Sequence, residues 1–314
     1  MNKFSYMRNI LLSLEDYPIY IAGHIKPDQD SVCSGLALAR WLNSFGKSAK
    51  VLLKKGDESI IDWINDVGFI TSEVTDENYN FIALDVNEMN RLGIFYEDFK
   101  KAKYSINIDH HQGNLYEADK TLSIPGISST CEIIYEIIKP KKDEELSLKI
   151  CEELYSGMMN DTNCFSRRLS NNTLKIAQIL INRGIDYQNI IKKTFSNRTM
   201  YQFKALAKIV SEMQYDGFYY AVVDKSIEEF KELTHNQIVK QIAEELRKIE
   251  GIDLLVILIK DKGTIVGKVM TNISENANKI AELMGGGGHK KEAGFSISDI
   301  EVSDIIQKIK EYIK

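Results

Sequence analysis

Long apolar runs are missing from this chain of 314 residues. The longest, Phe218 to Val223 and Leu254 to Ile259, fall far short of the roughly 20 residues a membrane helix needs, so no membrane partner is expected. The apolar segment Ile10 to Leu12 is too brief for a secretory signal and is soon followed by Glu15 and Asp16, which points to a cytoplasmic protein. Cysteine is scarce. Cys33, Cys131, Cys151 and Cys164 are scattered without a C-x-x-C pair, which argues against zinc or dithiol chemistry and for reduced, mostly buried thiols. A surplus of positive charge is lacking too: the net charge of −5 leaves no long basic track for duplex DNA or RNA, so any nucleic acid it handles should be short.

What is present is the composition of an ordinary globular protein, 44% hydrophobic and 27% charged. The length favours two domains, each able to bury its own core. Strand-like runs at 18–24, 49–53, 79–85 and 104–108 alternate with helical patterns at 32–45, 131–138 and 145–159, the mark of βα units in a parallel sheet. Further helices are expected near Ser59 to Asn65 and from Asn171 through Leu174, Ala177 and Ile181, the latter closed by Arg183-Gly184. The polar, helical stretch that follows reads as a connection. Periodicity then restarts with strands at 218–223, 253–259, 264–270 and 294–297 and helices over Ser226 to Leu233, Asn236 to Ile249, Asn276 to Met284 and Asp304 to Ile313, with Ser303 as N-cap. The expected fold class is α/β throughout: an N-terminal domain (1–188) with a parallel sheet flanked by helices, a helical linker (189–214), and a smaller C-terminal domain (215–314) with a mixed sheet.

Histidine is also rare, and its placement is uneven. Of five, two are adjacent in Asp109-His110-His111, at the tip of the strand Tyr104 to Ile108, where open α/β sheets place their ligands. His24, Asp28 and Asp30 crowd the loop after the first strand in the spacing H-x-x-x-D-x-D, which can converge on divalent cations; Asp28 or Asp30 capping the next helix is the plainer alternative. Asp85 ends another apolar strand, and Asp161 lies at the edge of an apolar helix. Arg91 is a candidate phosphate partner, with a solvated surface role equally open, and Ser128-Ser129-Thr130 should cap the following helix. The run Gly285-Gly286-Gly287-Gly288-His289 is costly in conformational entropy and suits close approach of backbone N–H groups to an anion; a flexible linker is the alternative.

Taken in order, His24-x-x-Pro-Asp28-x-Asp30, Asp85, Asp109-His110-His111, Asp161 and Gly285 to His289 resemble the motifs of the DHH phosphoesterase superfamily with its C-terminal associated domain. Within it the chain is most similar to the stand-alone bacterial nanoRNase/pAp phosphatase group. The resemblance implies a metal-dependent hydrolase of very short oligoribonucleotides and linear dinucleotides that also converts 3′-phosphoadenosine 5′-phosphate to AMP. It implies a dinuclear centre with His24, Asp28 and Asp85 on one cation and Asp30, Asp85, His110 and Asp161 on the other, Mn²⁺ ahead of Mg²⁺, activating water to hydroxide. His111 would donate to the phosphate or the leaving oxygen, Asp109 would orient a histidine, and the glycine run with His289 would hold the terminal phosphate in an interdomain cleft. Gln29 and Asn163 stand where glycine is usual, and Lys268 to Ile273 lacks an Arg-Ser pair often found there. Alternatives are a pyrophosphatase or polyphosphatase, a cyclic dinucleotide phosphodiesterase, or a nucleotide-binding regulator without turnover. Association into a homodimer through the sheet edge or the C-terminal domain is left open.

Overall fold

The computed structural model describes residues 2–25, 27–55, 67–111, 117–141, 145–195, 199–246, 249–274, 276–288 and 290–313. The helix expected near Ser59 to Asn65 lies outside these residues, as does His289. The chain divides into two compact units, Met1–Asn197 and Arg198–Lys314.

The first unit runs α1 (Lys3–Ser13), β1 (Ile19–Ala22), α2 (Gln29–Ser44), β2 (Ala49–Leu52), β3 (Ile70–Thr71), β4 (Asn80–Leu84), α3 (Tyr96–Lys101), β5 (Tyr104–Asp109), β6 (Lys120–Ser123), α4 (Thr130–Ile138), α5 (Leu148–Asp161), α6 (Thr173–Asn182) and α7 (Tyr187–Phe195). Its strands form a parallel sheet in the order β3-β2-β1-β4-β5-β6. Both faces are covered, which is why the strands read as nearly unbroken apolar runs. Ile19 and Ile21 of β1 and Ile82 and Leu84 of β4 face α2, α4 and α5. Tyr20, Ala22, Phe81 and Ala83 face the opposite way, toward Leu92, Phe95 and Phe99. Strands β3 and β6 and helices α1 and α3 are too short or too polar to register as periodic segments. In α6 the buried face is Ile176, Ala177 and Leu180, while Leu174 is exposed, so the face expected from Leu174 is rotated.

The second unit runs α8 (Met200–Ser211), β7 (Gln214–Tyr215), β8 (Tyr219–Asp224), α9 (His235–Leu246), β9 (Leu254–Asp261), β10 (Thr264–Thr271), α10 (Ala277–Glu282), β11 (Gly287–Gly288), β12 (Glu292–Ser298) and α11 (Val302–Ile313). The sheet order is β11-β12-β10-β9-β8-β7, mixed because β8 pairs parallel with β9 and the other pairs are antiparallel. The boundary at Asn197 falls inside the stretch read as a connection, with α7 before it and α8 after it.

Two expectations are corrected here. Ser226 to Leu233 is a succession of turns, not a helix. The backbone bonds Ile227 to Asp224, Phe230 to Ile227 and Leu233 to Phe230 recur every three residues, and Asp224 Oδ1 accepts from the Ser226 amide, a local bond that competes with helix. Ser303 lies inside the first turn of α11 and does not cap it.

The glycine run is ordered. Gly285 N–H donates to Glu282 at the end of α10, and Gly287 and Gly288 pair with Gly294 and Ala293 of β12. A Cβ at Gly286 would lie 2.2 Å from the Gly294 carbonyl oxygen, so close packing against β12 requires glycine and the linker alternative falls.

Candidate metal centre

The loops leaving β1, β4 and β5, together with the end of α5, bring five carboxyl groups and three imidazoles to one spot at the carboxyl edge of the first sheet. The β1 loop enters α2 with Asp28 as N-cap, its Oδ1 accepting from the Ser31 amide at 3.0 Å. Asp28 therefore does cap the helix, and its other oxygen still faces His24. Asp30 lies in the first turn of α2, yet caps a different helix: it accepts from the Thr130 amide (2.7 Å) and the Cys131 amide (2.9 Å) at the start of α4. Of the three residues expected to cap α4 with their hydroxyls, Ser129 does so, while Thr130 Oγ1 donates instead to Asp85 Oδ1 at 3.0 Å.

Asp85 is the centre of the group. It sits in the left-handed region at φ +60°, with its amide donating to the Ile108 carbonyl, so the backbone turns sharply at the end of β4 and aims the carboxyl inward. Such a conformation costs an aspartate of order 1–2 kcal/mol and is tolerated only where the surroundings impose it. Asp85 Oδ2 lies 3.6 Å from His24 Nε2; Oδ1 lies 3.5 Å from His110 Nε2 and 3.5 Å from His111 Nδ1. His24 Nε2 is 3.9 Å from Asp28 Oδ2, and His110 Nε2 is 3.4 Å from Asp161 Oδ2. Among the described residues, three groupings have ligand atoms close enough to share a cation: His24, Asp28 and Asp85; Asp30, His110 and Asp161; and Asp85, His110 and His111.

Hydrogen bonding sets the tautomers. His24 Nδ1 meets the Ile25 carbonyl at 2.9 Å and His110 Nδ1 meets the Ile127 carbonyl at 3.1 Å. A carbonyl can only accept, so both Nδ1 atoms carry the proton and each Nε2 directs a lone pair at carboxylate oxygens. Among the described residues, His110 Nε2 and Asp161 Oδ2 are buried without a hydrogen-bond partner. Lone pair facing lone pair is repulsive unless a positive charge lies between, and a backbone carbonyl on the distal nitrogen is the usual partner of a metal-ligating histidine. The residues present fit divalent cations.

The electrostatics agree. Burial raises Asp30 to about 7, helped by Asp161 and Asp28, and raises Asp85 well above the usual carboxylate range, helped by Asp30 and Asp28. Burial also raises Asp161, against the pull of His110 and Arg168. His110 is lowered by burial and stays neutral, the form in which it can ligate. His111 is different: its Nδ1 donates to Asp109 Oδ1 at 2.8 Å, and that bond raises its pKa despite burial. It is half-exposed, with Nε2 directed away from Asp109.

Every residue of the expected ligand set, together with Asp109 and His111, lies in this cluster. Arg91 does not join it; its guanidinium donates to Asn87 Oδ1 at 3.1 Å. Gln29 is buried and donates to Ser156 and Thr194, filling the space a glycine would leave. Asn163 adopts φ +50°, a conformation open to asparagine as well as glycine. Arg168, close enough to act on Asp161, had no sequence signal beyond a polar loop.

Glu132 was also unforeseen. It is fully buried and its carboxyl accepts from Ser128 Oγ, from the Ser128 amide at 3.3 Å, from Ser170 Oγ and from Thr173 Oγ1 at 2.8 Å. It thereby ties the loop that supplies Ile127 and Thr130 to the loop that follows Asp161. Glu132→Ala strands these donors; it should cost roughly 2–4 kcal/mol in a denaturant titration and weaken cation affinity about 10–100-fold by calorimetry. Unchanged cation affinity in the variant would deny Glu132 this positioning role.

Known proteins can now be set beside this geometry. Residues 18–159 match the DHH family, N-terminal domain, and residues 216–314 match the DHHA1 domain. The chain is a DHH-family protein with a C-terminal DHHA1 domain. It is 24% identical to the bifunctional oligoribonuclease and PAP phosphatase NrnA of Thermus thermophilus, over 99% of this chain and 94% of that protein. It is 25% identical to the cyclic-di-AMP phosphodiesterase PdeA of Listeria monocytogenes over 91% of this chain, but spans only 46% of that relative's length. The exopolyphosphatase-related protein of Bacteroides fragilis shares the fold at TM-score 0.84 and 20% identity, over 99% of this chain and 98% of that one. The sequence Asp109-His110-His111 lies within the residues matched to the DHH family.

Proposed function

We propose that the protein is a divalent-metal-dependent phosphohydrolase that releases mononucleotides from very short oligoribonucleotides and linear dinucleotides and dephosphorylates 3′-phosphoadenosine 5′-phosphate. The observation that carries the reading is the pair of Nε2 lone pairs, on His24 and His110, aimed at opposite oxygens of one buried carboxyl, Asp85. His24, Asp28 and Asp85 would hold one cation, and Asp30, Asp85, His110 and Asp161 the other; a donor set rich in oxygen with two imidazoles suits Mn²⁺ better than Mg²⁺. Two such cations would supply Lewis acidity toward the phosphoryl group and make water acidic enough to attack near neutral pH.

The chain's own residues do the rest. Thr130 and the α4 amides hold Asp85 and Asp30 in place, at a helix N-terminus that favours negative charge. His111, whose protonated form the bond to Asp109 favours, can deliver a proton from Nε2 to the departing oxygen. The Thermus relative, matched along nearly its whole length, supports the short-RNA reading. Cyclic dinucleotides are the second reading, favoured by the Listeria relative and its like, of whose length this chain spans about half.

The test is product analysis with Mn²⁺ on 5′-phosphorylated RNA of two to five nucleotides, 3′-phosphoadenosine 5′-phosphate, a cyclic dinucleotide and pyrophosphate. Mononucleotides from the shortest RNAs are expected. Turnover of pyrophosphate alone, or of the cyclic dinucleotide alone, would replace the proposal.

A further inference from the structure

A cavity of about 430 Å³ opens beside His24 within the first unit. Its walls come from the ends of three adjacent strands: His24 and Ile25 after β1, Leu53 and Lys54 after β2, Leu92 and Ile94 after β4. Strand order explains the position. The chain runs from β1 outward through β2 to β3 on one side, and from β4 outward through β5 to β6 on the other. The crevice between β1 and β4 is thus the topological switch point, where open parallel sheets bind ligands beyond the strands' carboxyl ends. His24 and Asp85 follow those two strands, so the cavity and the carboxyl cluster share a wall at His24.

We propose that this cavity receives the nucleobase of the nucleotide whose phosphate lies at the carboxyl cluster, an assignment that rests on the nucleotide-hydrolase reading above. The volume falls within the roughly 300–1,000 Å³ of small-molecule sites. The chemistry of the wall selects the occupant. A phosphate or pyrophosphate would need converging donors, whereas among the described residues this wall is mainly aliphatic, with His24 and Lys54 its ionisable side chains. A planar, partly apolar ring with a few acceptor atoms is its complement: apolar side chains sandwich an extruded base, and the Lys54 ammonium can donate to a ring acceptor. Two isoleucines at the mouth, Ile25 and Ile94, are 53% and 62% exposed. A seated base would cover both.

The wall is held in shape by backbone. The Ile25 amide donates to the Arg91 carbonyl at 2.7 Å, joining the β1 and β4 loops. Gly93 adopts φ +59°, and a Cβ there would lie 2.0 Å from Ile25 Cγ2, so only glycine lets the two loops close on each other. This gives the otherwise unassigned segment Leu92-Gly93-Ile94 a role in recognition.

The test compares AMP with ribose 5-phosphate, the same phosphate and sugar without the base, as ligands of the Mn²⁺-loaded full-length protein by calorimetry. The wild type should bind AMP at least about tenfold more tightly, the scale expected from covering apolar side chains. Ile94→Asp, at an exposed position where folding is indifferent to the change, should bring the two affinities within about twofold, by losing the covered apolar area. A wild type that does not distinguish the two ligands overturns the assignment, as does an Ile94→Asp protein that keeps the full preference. These affinities are read without turnover, so they stand apart from the RNA panel. A protein that cleaves no RNA but loses its AMP preference on Ile94→Asp keeps the pocket and loses the hydrolase reading, and active hydrolysis without any AMP preference does the reverse.

Discussion

Asp85→Asn is expected to cut turnover by more than the roughly 10–100-fold that follows loss of an outer partner of a metal site, because Asp85 serves both halves of the cluster. Its Oδ2 faces His24 and its Oδ1 faces His110 and His111. Asparagine keeps the shape, can accept the Thr130 hydroxyl bond through its amide oxygen, and tolerates the φ of +60° at this position. Only the charge is lost. The same substitution should raise the melting temperature of the metal-stripped protein at neutral pH by several degrees, since it removes a carboxyl that burial, Asp30 and Asp28 all push toward protonation. Activity and stability moving in opposite directions is the signature of a charge retained for function. A variant with full activity, checked by initial rates with Mn²⁺, would sink the central role of Asp85.

Removing metal should produce a loss of stability that grows with pH. Asp30 is raised from 3.8 to about 7, chiefly by burial and then by Asp161 and Asp28. Between those values the folded protein holds a proton that the unfolded chain has released, so folding takes up protons there. Stability is therefore fully present below the unfolded value and is lost as pH rises through about 7. The raised Asp85 and Asp161 act in the same direction. Divalent cations replace the missing protons, so the gap in melting temperature between Mn²⁺-loaded and chelator-treated protein should widen from about pH 5 to about pH 8. A gap that is flat or narrows over this range, in parallel thermal melts, would show that these carboxyls do not meet a cation.

Much of the candidate site was legible before the fold. Strand runs ending in His24, Asp85 and Asp109-His110-His111 could be read because a buried parallel strand is continuous in apolar residues and a polar tip interrupts it. The turns at 226–233 were not legible, because Ile227, Phe230 and Leu233 recur at a spacing that helices and successive turns share. The two readings at Asp28 were not rivals. A carboxyl has two oxygens, and one caps α2 while the other faces His24.

Residue types, their order along the chain and the alternation of strand and helix were properties of the sequence by itself, and they determined the family, the α/β class and the set of acids and imidazoles. Which oxygen meets which nitrogen was decided only by tertiary structure. Asp30 reaches the Thr130 amide across 100 positions and Glu132 reaches Thr173 across 41, bonds that exist only once α2 and α4 have packed on the sheet and α6 on α4. The tautomer of His110, the left-handed turn at Asp85 and the cavity between the β1 and β4 loops belong to the same class. Each depends on distance and direction between segments, and local periodicity carries neither.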